Sequence, residues 1–448
     1  MAPRSSARTE TWISSERPLA RLVGRPVARF LDVEASGGIL MVLATIVALV
    51  WANSPWSESY LTLWSTELSL EVGSFHFQED LAHFVNDGLM ALFFFVVGLE
   101  IKRELVSGQL SDIRDATLPI IAALGGMVVP ALIFTAFNLG GDGIDGWGVP
   151  MATDIAFAVG VLTLLGDRVP SSLKVFLLGL AIADDIGAIV VIAIFYTEGL
   201  ALDWLAAAVG GLVLVVVMRR ANIWYAPLYF VVGTVVWFCT LESGVHATIA
   251  GVALGLLTPA RPLMPQIQAD AIASRLMADE MVTAEDVHDI EFDLRASVPV
   301  AERLEDSLLP WTSYVVIPIF ALANAGIPLS AEAIGDAATS RVTLGVVLGL
   351  VVGKLVGISG ITWLAVRLGL GRLPAGVRWI QVVGMASVAG IGFTVAIFVA
   401  GLAYDSPTLQ DEAKIGVLTA SLIAAVLGTT ILRASAARSV PAGADAAR

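Results

Sequence analysis

The chain is expected to be an all-α polytopic membrane protein, and three observations lead there. Of its 448 residues, 57% are hydrophobic and only 15% charged, whereas a soluble domain carries about a quarter charged residues. The apolar residues gather in stretches long enough to cross a bilayer, which takes about 20 residues. In the middle of one such stretch, residues 176–197, stand two adjacent carboxylates, Asp184 and Asp185. A charge at the bilayer centre costs at least about 2.5–3.5 kcal/mol. The pair must face a wet cavity, find partners or hold protons, and the rest of the chain reads as machinery that tolerates and uses it.

Hydropathy marks twelve spans: 37–53, 82–102, 116–138, 149–166, 172–197, 201–219, 224–241, 243–259, 309–327, 342–369, 379–403 and 413–434. All are read as helices, because hydrocarbon offers backbone groups no partner outside the segment. Residues 1–35 form an arginine-rich tail, 36–434 the membrane domain and 435–448 a second tail. The first tail holds Arg4, Arg8, Arg17, Arg21, Arg25 and Arg29 and no early apolar run, so it is not a signal peptide.

Lys and Arg in short loops set orientation. With the arginine-rich tail in the cytoplasm, Lys102, Arg103, Arg114, Arg168, Lys174, Arg219, Arg220, Arg367, Arg372 and Arg378 all fall inside. Asp142, Asp145, Asp203, Glu242, Asp405, Asp411 and Glu412 fall outside, with Arg341 and Lys414 as minor exceptions. Twelve spans return the C-terminus to the cytoplasm. The formal net charge of −14 lies mostly in loops and tails, and the single Cys239 excludes an intramolecular disulfide.

Two pieces depart from the helical pattern. Residues 68–77 alternate apolar and other residues around Gly73-Ser74, a small extracytoplasmic β-hairpin with Gly first in its turn. A lone hairpin is marginal in water, so it is expected to pair with a second copy. Residues 261–308 make an acidic cytoplasmic connection whose first part reads as a solvated linker. Its last part, VAERLEDSLLPW, reads as a helix leading into the ninth span.

Asp154 is the third intramembrane acid, flanked by Pro150 and Gly160 and preceded by Thr153, a candidate cap for a half-helix starting there. Residues 379–403 carry Gly384, Gly390 and Gly392 before Thr394 and no charge. Both segments read as helices interrupted near mid-membrane, one before the Asp-Asp helix and one before the last. Interrupted helices in corresponding places of two halves point to a transporter site; taken singly, such glycines also serve close packing.

Lys354 is a basic residue in mid-span and needs an anionic partner, either Asp184 or Asp185. Adjacent helical residues point about 100° apart, so the two aspartates cannot share one small site squarely. One can face a cation site with Asp154, the other Lys354 or the cavity. Burial and neighbouring like charge favour the protonated form of a carboxyl and a cation favours the ionised form. Hard alkali cations want oxygen ligands. A carboxylate holding a proton is a poor Na+ ligand, so competition for one site suffices for exchange when the site opens to one side at a time.

These stretches resemble the NhaA-type sodium/proton antiporters from about residue 30 to 434. The matching runs are FVNDGLMALFFFVVGLEIKREL, ATDIAFAVGVL, LAIADDIGAIVVIAIFYT, SGVHATIAG, LPWTSYVVIPIFALANAGI and GIGFTVAIFVAGLAY. NhaA is a known case of inverted-repeat architecture, so the resemblance implies twelve helices in inverted repeats with two crossed, interrupted ones. It implies that Asp184 and Asp185 form the ion site, Asp185 being the main cation and proton ligand. Thr153 and Asp154 and the run Gly390, Gly392 and Thr394 mark the helix breaks. Asp154 and Lys354 balance the half-helix dipoles.

The resemblance further implies electrogenic exchange of two H+ for one Na+ or Li+, with Asp184 or Lys354 carrying the second proton. No cofactor is implied. The partners are membrane lipid and a second copy of the chain joined through residues 68–77, in a bacterial inner membrane, with both termini cytoplasmic. Family pH-response positions correspond to Glu100, Arg103, Glu104, His246 and Glu305, and Asp87 lies on the cation path. Interfacial snorkelling accounts equally for Glu100 and Glu104. Near the outer side, His246 titrates in the right range but equally suits simple packing. Leu355 replaces a usual proline, Glu302 stands where a basic residue is common, and the acidic insert is long. These departures bear on the pH set-point rather than on exchange.

Three rival readings are weaker. An intramembrane aspartyl protease needs a GxGD motif, whereas the membrane-adjacent Gly166-Asp167 lies at a helix end before Arg168. The same fold moving K+ uses the same oxygen ligands. A channel does not explain acids combined with Lys354. No nucleotide, metal or nucleic-acid motif appears, which leaves the proton gradient as the drive.

Overall fold

The computed structural model describes residues 36–72, 75–108, 110–197, 199–223, 225–262 and 297–437. The arginine-rich tail, the Gly73-Ser74 turn, residues 263–296 of the acidic connection and residues 438–448 lie outside the described residues. The apolar runs expected to be helical contain helix, but 149–166 is non-helical at 152–154 and 243–259 is α-helical only over Thr248–Leu257. Among the described residues, eight helices are long and apolar enough to cross a membrane, or up to ten if each of two bent pairs is one span.

The first bent pair is α1 (Ser36–Ala52) and α2 (Ser57–Trp64), which meet at 116°. Strands β1 (Glu67–Val72) and β2 (Phe75–Asp80) then pair antiparallel, Glu67 opposite Asp80 and Val72 opposite Phe75. The pairing is longer than the 68–77 expected from alternation. β2 runs directly into α3 (Leu81–Val106), where the Asp80 carboxylate caps the first turn by accepting from the His83 N–H at 2.7 Å. Inside α3 lies a π-helical turn, Phe84–Leu89.

α4 (Ile113–Asn138) follows. A 3-10 segment, Ile144–Met151, breaks at residues 152–154 before α5 (Ile155–Leu164). The carboxylate-bearing helix is α6 (Ser171–Phe195). Then come α7 (Leu202–Arg220), α8 (Ala226–Glu242) and α9 (Thr248–Leu257). α10 (Val300–Asn324) begins with the VAERLEDSLLPW stretch, helical as expected, and passes through a π turn at Thr312–Val316. A short amphipathic helix, α11 (Ala331–Thr339), leads to α12 (Arg341–Arg367), which has a third π turn at Gly349–Gly353 immediately before Lys354. The second bent pair is α13 (Trp379–Val388) and α14 (Phe393–Ala403), which meet at 48°. α15 (Pro407–Ala437) is last.

The core is centred on this second bent pair: every residue from 384 to 400 is buried. Outlying α7 and α8 present large apolar side chains outward, with Val213 56% and Phe230 77% exposed. Such an apolar exterior suits hydrocarbon rather than water. α4 and α12 approach closely through Gly125 and Gly357, where a Cβ on Gly125 would sit 2.5 Å from the Gly357 carbonyl oxygen. Small residues at such crossings let helices pack in lipid, where burial of apolar surface supplies no drive.

Candidate functional site

The break before α5 and the break between α13 and α14 lie against each other. The Asp154 N–H donates to the Ile391 carbonyl at 2.7 Å. The Thr153 hydroxyl donates to the Ala389 carbonyl at 2.9 Å. Asp154 Oδ1 accepts from the Phe157 N–H at 3.0 Å, and Oδ2 accepts from the Thr394 N–H at 3.1 Å and from the Thr394 hydroxyl. One carboxylate thus faces the N-termini of two half-helices. Each terminus carries roughly half a positive charge, so the anion answers both and satisfies N–H groups left open by the breaks. The cap of α5 is Asp154 and not Thr153, which corrects the expectation from sequence: the Thr153 hydroxyl is directed to the opposite chain break.

The glycines at the second break are there for close approach. A Cβ on Gly390 would lie 2.5 Å from the Leu350 carbonyl oxygen, and one on Gly392 would lie 3.2 Å from the Ala152 carbonyl oxygen. Two residues without any sequence signal complete the crossing. Ser421 Oγ of α15 accepts from the Phe393 N–H at 3.4 Å, and Met41 Sδ of α1 lies 3.3 Å from the Thr394 hydroxyl. A serine or methionine inside an apolar helix is unremarkable until the fold shows what faces it.

Lys354 is fully buried and donates to Asp184 Oδ2 at 2.6 Å, which resolves the choice between its two candidate partners. Its stem runs beside Gly126, where a Cβ would stand 3.7 Å from Lys354 Cδ. Asp184 is 0% exposed, and besides Lys354 its carboxyl has the side chain and backbone of Thr153 as polar neighbours. Asp185, 6% exposed, lies within electrostatic reach of Asp184, Glu100, Asp154 and Lys354. Three carboxylates and one ammonium therefore share one dry region, where opposing charges are screened far less than in water.

A second charged group lies at the other end of α3 from the hairpin. Arg103 Nη1 donates to Glu305 Oε1 at 2.6 Å, Arg103 Nη2 lies 3.6 Å from Glu104 Oε1, and Glu100 is one turn back along α3. The structure thus joins Glu100, Arg103, Glu104 and Glu305. His246 is apart from them, with its Nε2 against the Tyr196 carbonyl just past the end of α6. Asp87 sits in the π turn of α3, within electrostatic reach of His83 and Glu79.

Comparison with known proteins places the chain in a family. A family model described as Na+/H+ antiporter 1 matches residues 28–432. The Na(+)/H(+) antiporter NhaA of Rhodopirellula baltica is 48% identical over 416 residues, covering 91% of this chain and 93% of that protein. The Na(+)/H(+) antiporter NhaA 2 of Sorangium cellulosum is 47% identical over 451 residues, covering 98% and 96%. The Na(+)/H(+) antiporter NhaA 2 of Myxococcus xanthus is 46% identical over 455 residues, covering 98% and 96%. The chain belongs to the Na+/H+ antiporter 1 family, whose members are secondary transporters rather than enzymes.

Proposed function

We propose that the protein is an electrogenic Na+/H+ antiporter that extrudes Na+, or Li+, in exchange for two external protons. The observation that carries this reading is the buried group of Asp154, Asp184, Asp185 and Lys354 beside two broken helices whose breaks lie against each other. Asp185, which has no ammonium of its own, is the cation and first-proton ligand. The second proton travels with the Asp184–Lys354 pair. A protonated carboxyl cannot coordinate Na+ well, so the two ions exclude each other and exchange follows from competition at one site. Asp154 keeps the two half-helix N-termini together during the cycle.

In this reading the chain crosses a bacterial inner membrane twelve times, along the spans marked by hydropathy, in inverted repeats, both termini are cytoplasmic, and the site opens to one face at a time. Glu100, Arg103, Glu104 and Glu305 form the cytoplasmic mouth and set the pH response, to which His246 contributes from the outer side. Asp87 lies on the outer cation path. The β1–β2 hairpin, a two-stranded sheet whose edges pair with no further strand among the described residues, joins two copies into a homodimer. Competition also fixes the sign of the pH dependence: the apparent KM for Na+ rises as pH falls.

The test is proton flux in inverted membrane vesicles with an acid interior. Addition of Na+ or Li+ alkalinises the interior in wild type and not in Asp185→Asn. A response to K+ alone would change the substrate, and no response to any cation between pH 6.5 and 9 would overturn antiport.

A further inference from the structure

The π turn Phe84–Leu89 is held from outside its own helix by two side chains that the exchange mechanism does not use. A π turn widens the helix and is common at functional sites. Its carbonyls turn away from the regular ladder and need other donors. From α8, Trp237 Nε1 donates to the carbonyl of Asp87 itself at 2.8 Å. From the last residue of α10, Asn324 Nδ2 donates to Asn86 Oδ1 at 2.8 Å and to the Phe320 carbonyl at 3.1 Å. Neighbouring positions 86 and 87 are therefore each tied to a different helix.

Asn324 is itself firmly placed. Tyr60 of α2 donates its hydroxyl to the Leu322 and Ala323 carbonyls at 2.8 and 3.0 Å. Asn53 brackets the following loop, donating to the Ile327 carbonyl at 2.8 Å and accepting from the Leu329 N–H at 2.6 Å. The segment between α1 and the hairpin thus clamps the end of α10, and α10 clamps the π turn. Glu79, Asp80 and His83 stand at the entrance to the same turn. A carboxylate at a mouth of this kind is useful only if its backbone holds still, because a cation ligand displaced by an ångström loses most of its contact.

We propose that Asn324 and Trp237 are positioning residues that hold the Asp87 turn at the outer entrance of the cation path. The proposal rests on the antiport reading and on the orientation given above. It makes a sided prediction that a merely structural role does not make: loss of either donor weakens Na+ engagement from the outer face only.

The test measures the apparent KM for Na+ from each face of the full-length protein, in right-side-out and in inverted vesicles. Wild type is compared with Asn324→Ala, Asn324→Gln and Trp237→Phe. The outer KM is expected to rise about threefold to tenfold in Asn324→Ala and Trp237→Phe, the size of one lost hydrogen bond. The maximal rate and the cytoplasmic KM stay as in wild type, and Asn324→Gln recovers part of the loss. Trp237→Phe keeps an aromatic ring at this position, smaller than the indole and without its N–H, so it serves where Asn324→Ala fails to insert. Equal changes at both faces, a loss of rate alone, or no change in either variant would overturn the proposal. Wild type without sodium-coupled flux at either face would overturn the antiport reading and this proposal with it.

Discussion

Lys354 and Arg103 each hold a carboxylate at 2.6 Å, and the two pairs differ in everything except length. Lys354 and its partner Asp184 have side-chain exposures of 0% and 1%. Arg103 is 35% exposed beside a Glu305 that is 8% exposed. Removing one partner of a buried pair leaves an uncompensated charge and costs about 3–5 kcal/mol. A fully exposed pair is worth about 0–1 kcal/mol, and Arg103–Glu305, with one partner open to solvent and the other buried, lies between these limits. Distance alone therefore says little, and access to water decides the weight. A buried pair also adds little net stability over a well-packed apolar core, so keeping one at the centre of a membrane protein points to work that apolar residues cannot do.

Variants at the two pairs, and at the groups around them, probe this contrast. The largest expected effect is on function: Asp185→Asn abolishes Na+-driven proton flux while the protein still inserts, and wild-type rates would remove Asp185 from the site. Next is Lys354→Ala, which strands Asp184 and lowers stability by about 3–5 kcal/mol, read as a fall in melting temperature in detergent. Lys354→Ala combined with Asp184→Asn recovers much of that fall, and a double variant as unstable as the single one would refute the pairing. Gly390→Val forces a side chain against the Leu350 carbonyl and costs about 1–3 kcal/mol, with transport lost together with stability. Arg103→Ala leaves the buried Glu305 and Glu104 carboxylates without their guanidinium, but at a site open to solvent on the arginine side, so it costs about 1–3 kcal/mol, lowers the melting temperature less than Lys354→Ala and shifts the pH profile of flux. A melting-temperature drop as large as that of Lys354→Ala would erase the distinction between the two pairs. Smallest in stability is deletion of 68–77, which on the proposed hairpin pairing shifts the protein from dimer towards monomer on sizing columns and spares exchange; an unchanged oligomer would remove the hairpin from the interface.

Much of this was legible from hydropathy, because lipid leaves a long apolar run no alternative to helix. The intramembrane acids and Lys354 stood out for the same reason, and the choice of partner did not. Asp184 and Asp185 differ by a rotation of about 100°, which no composition reveals; only the placement of α12 against α6 selects Asp184. Thr153 and Asp154 are both N-cap residue types, and only the fold shows that Asp154 caps α5 while the Thr153 hydroxyl turns to the other chain break. Ser421 and Met41 carried no signal, since each matters only through what lies opposite. The three π turns and the amphipathic α2 and α11 also escaped the pattern, being one turn long or too short for a hydropathy window.

The central claim is that Na+ and H+ compete for the same buried carboxylates. Its most direct test is calorimetric titration of the purified protein with Na+ in buffers of different ionisation enthalpy, which counts protons released per Na+ bound. The account predicts proton release with each Na+, apparent affinity that weakens as pH falls, and neither binding nor release in Asp185→Asn. Na+ binding without proton release, or release that persists in Asp185→Asn, would contradict it.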